Sequence, residues 1–468
     1  MDFLHRFPQI PPPRLSFLHS LPGTVPLDPV SAALPPLIYY VALLLQPPIP
    51  SNPIPNLTAT IRNILALSAG ILFLRLPLKY HVPFSVGLTY QLALVGIYGA
   101  ARVVDIFFIS RYWLNHIPRR VTYTQIPRTP ASKEVESGDD SYFSLHFLMP
   151  KEGDPVTEHA RSEEGLPTKW SDRMSWALEL ELAMRGAGFT WSSADVRHTR
   201  RTWRPTISDR VHSILLHVLP VVLGSWAVIR TVQVRYLVAT VDKSKGEGNF
   251  DELPYKMQVT LTAALGAFLI AAFSLGHSSF AIILNTFNPH PLGYFPPLYS
   301  KRIWEITSVR CFWSYGWHRL FSRFFLVYGT WPGEWLERKL LGKDSEAAAD
   351  VGKVLGAFLS SAFVHSFAGH TVVPGGWKNA SGEAWFFFDN GIAVIVEEVI
   401  KRMVLRRRRL AMKEHTEVSG TAKGDAAFKR WYDDIVGRIW WCTVLLYTGR
   451  NFARGWVLAG LVKEMSFT

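Results

Sequence analysis

The chain is built from long apolar blocks separated by polar stretches. The blocks fall at 31–46, 57–78, 84–110, 211–233, 257–286, 351–373, 384–405 and 435–462. A bilayer core about 30 Å thick is crossed by roughly 20 apolar residues in a helix. In lipid the backbone must satisfy its own hydrogen bonds, so each block predicts a helix rather than a strand. The fifth block shows this most clearly, since no charged residue occurs from Met257 to Asn285. The first block is short, and Pro35–Pro36 are expected to cut it further. A looser helical spacing of Trp176, Leu178, Leu180, Leu182 and Met184 marks the polar stretch 170–185. The pattern predicts an all-α fold: a polytopic transmembrane helical bundle of about seven to nine spans.

The polar stretches set an expected topology. Lys and Arg crowd the span ends that border about 111–210 and 406–432, which places both loops in the cytosol. Three spans before the first loop then put the N-terminus in the lumen. Residues 317–331 carry Arg319 and Arg323 and are too short for an ordinary span. If they crossed, Arg406–Arg409 would land in the lumen, so this segment is expected to be re-entrant or interfacial. That leaves 374–383 as a short lumenal loop, with a sequon at Asn379-Ala380-Ser381, and a lumenal C-terminus. The last block holds Arg450 and Arg454, which must snorkel, line a cavity or mark a break. Residues 1–36 are proline-rich and lack the continuous apolar core of a cleaved signal. The expected division is therefore 1–36 as an N-terminal segment and 37–468 as the membrane-embedded unit.

Composition narrows the class. Of 468 residues, 48% are hydrophobic, 13% aromatic and only 19% charged, which excludes a disordered chain. The net charge of +13 would suit a nucleic-acid binder, but much of the excess sits at span ends, so no nucleic acid is expected as a partner. Two cysteines, Cys311 and Cys442, exclude a disulfide framework, and no CxxC is present for a metal site.

Ionisable residues at membrane depth are costly and point to function. His365 lies near the middle of the block 351–373. A neutral imidazole there can accept a proton; its bland alternative is a histidine hydrogen-bonded across a helix interface. The same block carries Gly352, Gly356 and Ser360 at four-residue spacing, a stripe that lets a neighbouring helix approach closely. The run Ser308–His318 crowds Phe312, Trp313, Tyr315 and Trp317 around Arg310 and His318. An interfacial aromatic belt explains the tryptophans but not the two basic residues. His277, His212 and His217 read better as interhelical partners than as site residues. Glu397–Lys401 and Glu398–Arg402 read as i,i+4 pairs. Asp389 and Asn390 stay unexplained near the start of a span.

Taken together, Pro296-Pro297-Leu298-Tyr299, the run Ser308–His318, and His365 in a small-residue helix resemble the wax-synthase-like branch of the membrane-bound O-acyltransferases. Arg185-Gly186-Ala187-Gly188-Phe189-Thr190-Trp191 is similar to that branch's Arg-Gly-x-Gly-x-x-Trp element. The resemblance covers roughly 180–400 and extends to fungal members that acetylate terpenoid and meroterpenoid alcohols. Tyr299, Val309 and Ala362 depart from the usual Phe, Leu and Gly without removing a catalytic group.

The resemblance implies an acyl-CoA-dependent enzyme of the endoplasmic reticulum membrane, with acetyl-CoA as co-substrate, a lipophilic alcohol as acceptor, and neither a permanently bound cofactor nor a metal. It implies His365 as general base and His318 as the residue that orients substrate or stabilises the oxyanion. Arg310 and Arg319 are candidates for the coenzyme A phosphates by position. No Gly-x-Ser-x-Gly elbow offers an acyl-enzyme nucleophile. The competing readings are a long-chain wax-ester synthase and a transporter of lipophilic metabolites; the absence of paired halves with matching broken helices weighs against the transporter.

Overall fold

The computed structural model describes residues 23–48, 54–125, 159–191, 207–237, 250–285, 295, 298–299, 302–344, 348–373, 376–416 and 430–464. The proline-rich stretch before residue 23, Pro296–Pro297 and much of both predicted cytosolic loops lie outside these described residues.

The predicted helices are present. They are α1 (Pro29–Leu44), α2 (Pro55–Lys79), α3 (Val86–Trp113), α4 (Trp170–Leu182), α5 (Ile207–Leu237) and α6 (Tyr255–Asn285). Then come α7 (309–316), α8 (322–341), α9 (Asp350–His370), α10 (Trp377–Thr416), α11 (Trp431–Leu458) and α12 (Leu461–Glu464). Among the described residues five helices, α2, α3, α5, α6 and α9, are long and apolar enough to cross a membrane. The protein is an all-α integral membrane protein. Its described strands are two short pairs, β1 (Val25–Pro26) parallel to β2 (Tyr80–His81) and β3 (Val121–Gln125) antiparallel to β4 (His159–Glu163).

Two expectations need correction. Pro35 and Pro36 do not cut α1, which runs through both. Asp28 caps its start by accepting the Ser31 N–H at 2.9 Å, and Pro29 occupies the first turn. Packing holds the rest: Tyr39 lies edge-on to Phe73 and Phe107, with ring centroids 6.3 and 5.9 Å away. The stretch 374–383 is not all loop either. Helix α10 begins at Trp377, so the sequon and Glu383 sit on its first turns.

Contacts at the two ends of the bundle sort the connections. At one end Glu464 accepts the N–H groups of Val86 (2.7 Å) and Gly87 (3.1 Å), which satisfies orphan donors at the start of α3. Arg454 pairs with Asp251 at 2.7 Å, and Arg450 donates to Gln258 at 2.9 Å while lying over Tyr255. These two arginines thus pair with residues at and just before the start of α6. At the other end Arg173 donates to the carbonyl of Pro47 at 3.0 Å, and Arg408 makes a two-pronged pair with Asp433 at 2.6 and 2.8 Å.

The segment 309–341 enters and leaves the bundle at one level. Arg310 meets Glu398 at 3.1 Å, the Val309 N–H donates to Glu397 at 2.7 Å, and Asp350 lies 3.7 Å from Arg402, all along one stretch of α10. Between these ends α7 runs inward, the chain turns at 317–321, and α8 runs back. The glycine stripe explains why α8 can lie so close to α9. A Cβ on Gly333 would overlap the Gly352 carbonyl, and one on Gly356 would overlap the Gly329 carbonyl.

Candidate active site

His365 stands where four helices converge. It is 7% exposed, on the inner face of α9. Its ring stacks on Phe387 of α10, 4.4 Å between centroids and 25° between planes, and Phe452 of α11 meets it edge-on at 6.2 Å. Its Nδ1 lies 2.7 Å from the Tyr90 hydroxyl of α3. That hydroxyl is also 2.9 Å from Oε2 of Glu383, whose Oε1 accepts the Trp456 indole N–H at 2.9 Å. Among the described residues Nε2 of His365 has no hydrogen-bond partner, and the protein does not seal it off completely. One ring nitrogen is thus fixed by the protein and the other is open.

His318 occupies the inner turn between α7 and α8, where the re-entrant chain reverses. It is packed by Phe273 of α6 at 4.8 Å and by Trp317 at 4.9 Å. Its Nδ1 is enclosed and has no partner among the described residues. His318 lies within electrostatic range of both His365 and Arg185. A ladder of rings connects the two histidines: Trp317 to Trp313 at 5.9 Å, Trp313 to Phe387 at 5.6 Å, then Phe387 to His365. From Glu398 to Phe387 the helix climbs about 16 Å, which sets the ladder deep in the bundle. Trp313 is locked by its indole N–H, which donates to Asn390 at 3.0 Å; Asn390 in turn donates to Thr448 at 3.0 Å. The unexplained Asn390 is therefore the pin that joins α7, α10 and α11.

A second buried pair fixes α8 against α3. Asp105 accepts from Arg323 at 2.8 and 2.9 Å, from Ser110 at 3.0 Å, and from the Trp191 indole at 3.1 Å. Arg323 lies between the faces of Trp191 and Trp331. This accounts for the element 185–191. Gly186 and Gly188 take φ of 69° and 82°, where a side chain would be strained, and the resulting turn delivers Trp191 to Asp105. It also buries Arg185.

The structure connects His365 and His318 through a ladder of buried rings and leaves other predicted residues apart. Arg310 is partly exposed and paired with Glu398. Arg319 is buried next to His318 and donates to the Ser314 carbonyl at 3.2 Å. His212 and His217 are exposed on α5 rather than held between helices, and His277 lies edge-on to Phe295. Glu397–Lys401 and Glu398–Arg402 form as expected, at 3.0 and 3.8 Å. Tyr90, Glu383 and Trp456 escaped the sequence reading. A lone acid beside the apolar run Ala384–Phe388 was the available signal, but it was assigned to a loop. Cys311 and Cys442 are both free thiols, and the described residues hold no cluster of metal-ligand side chains.

Residues 295–388 match the model of the membrane bound O-acyl transferase family. The protein "Acetyltransferase eriL" of Hericium erinaceus is 25% identical over 232 residues, covering 49% of this chain and 58% of the relative. The chain thus matches little more than half the length of that curated relative. No solved structure matches it. The family segment contains the re-entrant hairpin, all of α9 and the start of α10, and with them His318, His365 and Glu383. Over residues 295–388 the chain is thus similar to the membrane bound O-acyl transferase family, and over about half its length to an acetyltransferase.

Proposed function

We propose that the protein is an acyl-CoA-dependent O-acyltransferase that moves acetyl from acetyl-CoA to the hydroxyl of a lipophilic terpenoid or meroterpenoid alcohol in the endoplasmic reticulum membrane. The observation that carries this reading is His365, buried inside the bundle, with Nδ1 held by Tyr90 and Nε2 open. The relative's name supports acetyl as the group transferred.

An alcohol has a pKa far above neutrality, so its attack on a thioester needs a base within hydrogen-bond reach. Nε2 of His365 takes the hydroxyl proton as the oxygen adds to the acyl carbonyl. The C–S bond breaks, and the same proton returns to the leaving sulfur, giving ester and free coenzyme A. A thioester is already activated, so no acyl-enzyme is required. His318, linked to His365 through the ladder of rings, donates a hydrogen bond to the developing oxyanion or orients the acceptor. Arg319, buried next to His318, and Arg310, at the mouth of the hairpin, supply positive charge for the phosphates of coenzyme A.

The test is transfer from radiolabelled acetyl-, octanoyl- and palmitoyl-CoA to farnesol, geranylgeraniol and hexadecanol by membranes containing the protein. Acetyl ester formation that is lost in His365→Ala, at unchanged protein level, is the expected result. A preference for palmitoyl-CoA would make the protein a wax-ester synthase instead. Full rate in His365→Ala would remove the base assignment.

A further inference from the structure

The hydrogen bonds around His365 have a direction, and one donor sets it. The indole N–H of Trp456 can only donate. Oε1 of Glu383, 2.9 Å away, must therefore accept. This leaves Oε2 to face the Tyr90 hydroxyl at 2.9 Å, and that hydroxyl has a single proton to share between Glu383 and His365 Nδ1 at 2.7 Å. Tyr90, Glu383 and His365 are all buried, and no further partner of the Tyr90 hydroxyl is found among the described residues.

We propose that Glu383 and Tyr90 are positioning residues that select the tautomer of His365, on α9, from the adjoining helices α10 and α3. The inference rests on the reading of His365 as general base. With Glu383 ionised, Tyr90 gives its proton to Oε2, and its oxygen lone pair faces His365. Nδ1 must then carry hydrogen, and the lone pair of Nε2 is free to take the acceptor's proton. With Glu383 protonated, the proton sits on Oε2 and is donated to Tyr90. Tyr90 then donates its own proton to Nδ1, Nε2 carries hydrogen, and the base is gone. When Nε2 accepts the substrate proton, the imidazolium formed is bridged through Tyr90 to the Glu383 carboxylate. The positive charge thus gains a counter-charge without leaving the interior.

Glu383→Gln separates this reading from a purely structural one. The glutamine oxygen must still accept from Trp456, so its amide donates to Tyr90 and imposes the tautomer that cannot act as base. The substitution keeps shape and hydrogen-bond count, so a structural role predicts little change. The relay predicts a fall in kcat on the order of 10³–10⁴, the scale of a wrong histidine tautomer in a catalytic triad, with KM for acetyl-CoA nearly unchanged. Tyr90→Phe disconnects the relay and leaves the tautomer unforced, so its loss is smaller, about 10- to 100-fold. The combined Tyr90→Phe, Glu383→Gln variant should return to the level of Tyr90→Phe alone, because no hydroxyl remains to carry the wrong polarity.

The assay uses the intact protein in nanodiscs, acetyl-CoA, and whichever alcohol of the panel the wild type esterifies fastest. Wild-type kcat in Glu383→Gln, or a double variant as slow as Glu383→Gln, overturns the relay while His365→Ala still reports on the base. Activity retained by His365→Ala, or no ester from any alcohol with the wild type, overturns the underlying function and the relay with it. If Glu383→Gln fails to fold, NMR of isotope-labelled histidine decides, as the difference between wild type and His365→Ala. An Nδ1–H tautomer in the wild type at neutral pH is expected, and an Nε2–H tautomer overturns the proposal.

Discussion

Gly356 of α9 and Gly329 of the re-entrant hairpin pack backbone against backbone, so closely that a Cβ on Gly356 would overlap the Gly329 carbonyl. This contact, repeated one turn on at Gly352 and Gly333, sets the distance between the strand of chain that carries His318 and the helix that carries His365. A side chain at Gly356 must push the two apart. Gly356→Leu is expected to destabilise the protein by about 1–3 kcal/mol, as overpacking does, and to lower activity beyond the loss of folded protein. Thermal unfolding in detergent alongside acetyl transfer checks this. Gly224→Ala, on α5 with open space around its Cβ, is the control and should be neutral or mildly stabilising.

Asp105 and Arg323 form a buried pair, with side chains only 3% and 13% exposed. Removing one partner strands the other charge among aromatic rings. Arg323→Met or Asp105→Asn alone is expected to cost about 3–5 kcal/mol, seen as a loss of folded yield and of melting temperature. The double change should cost less than the sum of the two, because no unpaired charge remains.

His318 is proposed to support catalysis rather than the fold. His318→Gln keeps a donor of similar size and is expected to retain part of the rate. His318→Ala should lose about 10²–10³ in kcat, the scale of one oxyanion donor. Steady-state kinetics on equal amounts of folded protein distinguish the two, and equal loss in both would point to packing.

Arg310 and Arg319 are proposed to meet coenzyme A. Arg310→Gln should raise KM for acetyl-CoA several-fold with kcat nearly unchanged, since it touches a remote part of the donor. The same assay with a short N-acetylcysteamine thioester, which lacks the phosphates, should show no difference between variant and wild type.

Outside the spans, the hydrogen bonds of Arg408 hold the Asp433 carboxyl down to about 2. A depressed carboxylate stabilises the fold above its unfolded value near 3.9 and loses that contribution as the pH falls toward its folded value. Asp433→Asn is therefore expected to lower stability by no more than about 1 kcal/mol, because the pair is partly exposed. The difference should hold constant between about pH 6 and 8, shrink below about pH 4, and diminish with added salt. Melting temperatures of the two proteins across that range provide the check.

Much of the architecture could be read from hydropathy because a bilayer imposes a length and a polarity on every crossing element. The blocks 57–78, 84–110, 211–233, 257–286 and 351–373 became helices with ends displaced by only a few residues. His365 and the glycine stripe were legible for the same reason: an ionisable or a small residue at membrane depth needs a partner or a close neighbour. Pro35 and Pro36 misled because local backbone rules carry no information about Phe73 and Phe107, which hold α1 together from other helices.

The sequence alone determined that this is a helical membrane protein and that His365 and His318 are the imidazoles to watch, since both conclusions depend on local composition and on a short run of motifs. Only the tertiary structure decided how those imidazoles are equipped. Tyr90 and His365 are 275 residues apart in the chain, and Glu383 reaches the pair from a third helix. A hydrogen bond of under 3 Å between helices depends on where each backbone lies, and that is set by the sum of all the packing contacts, which no local pattern encodes.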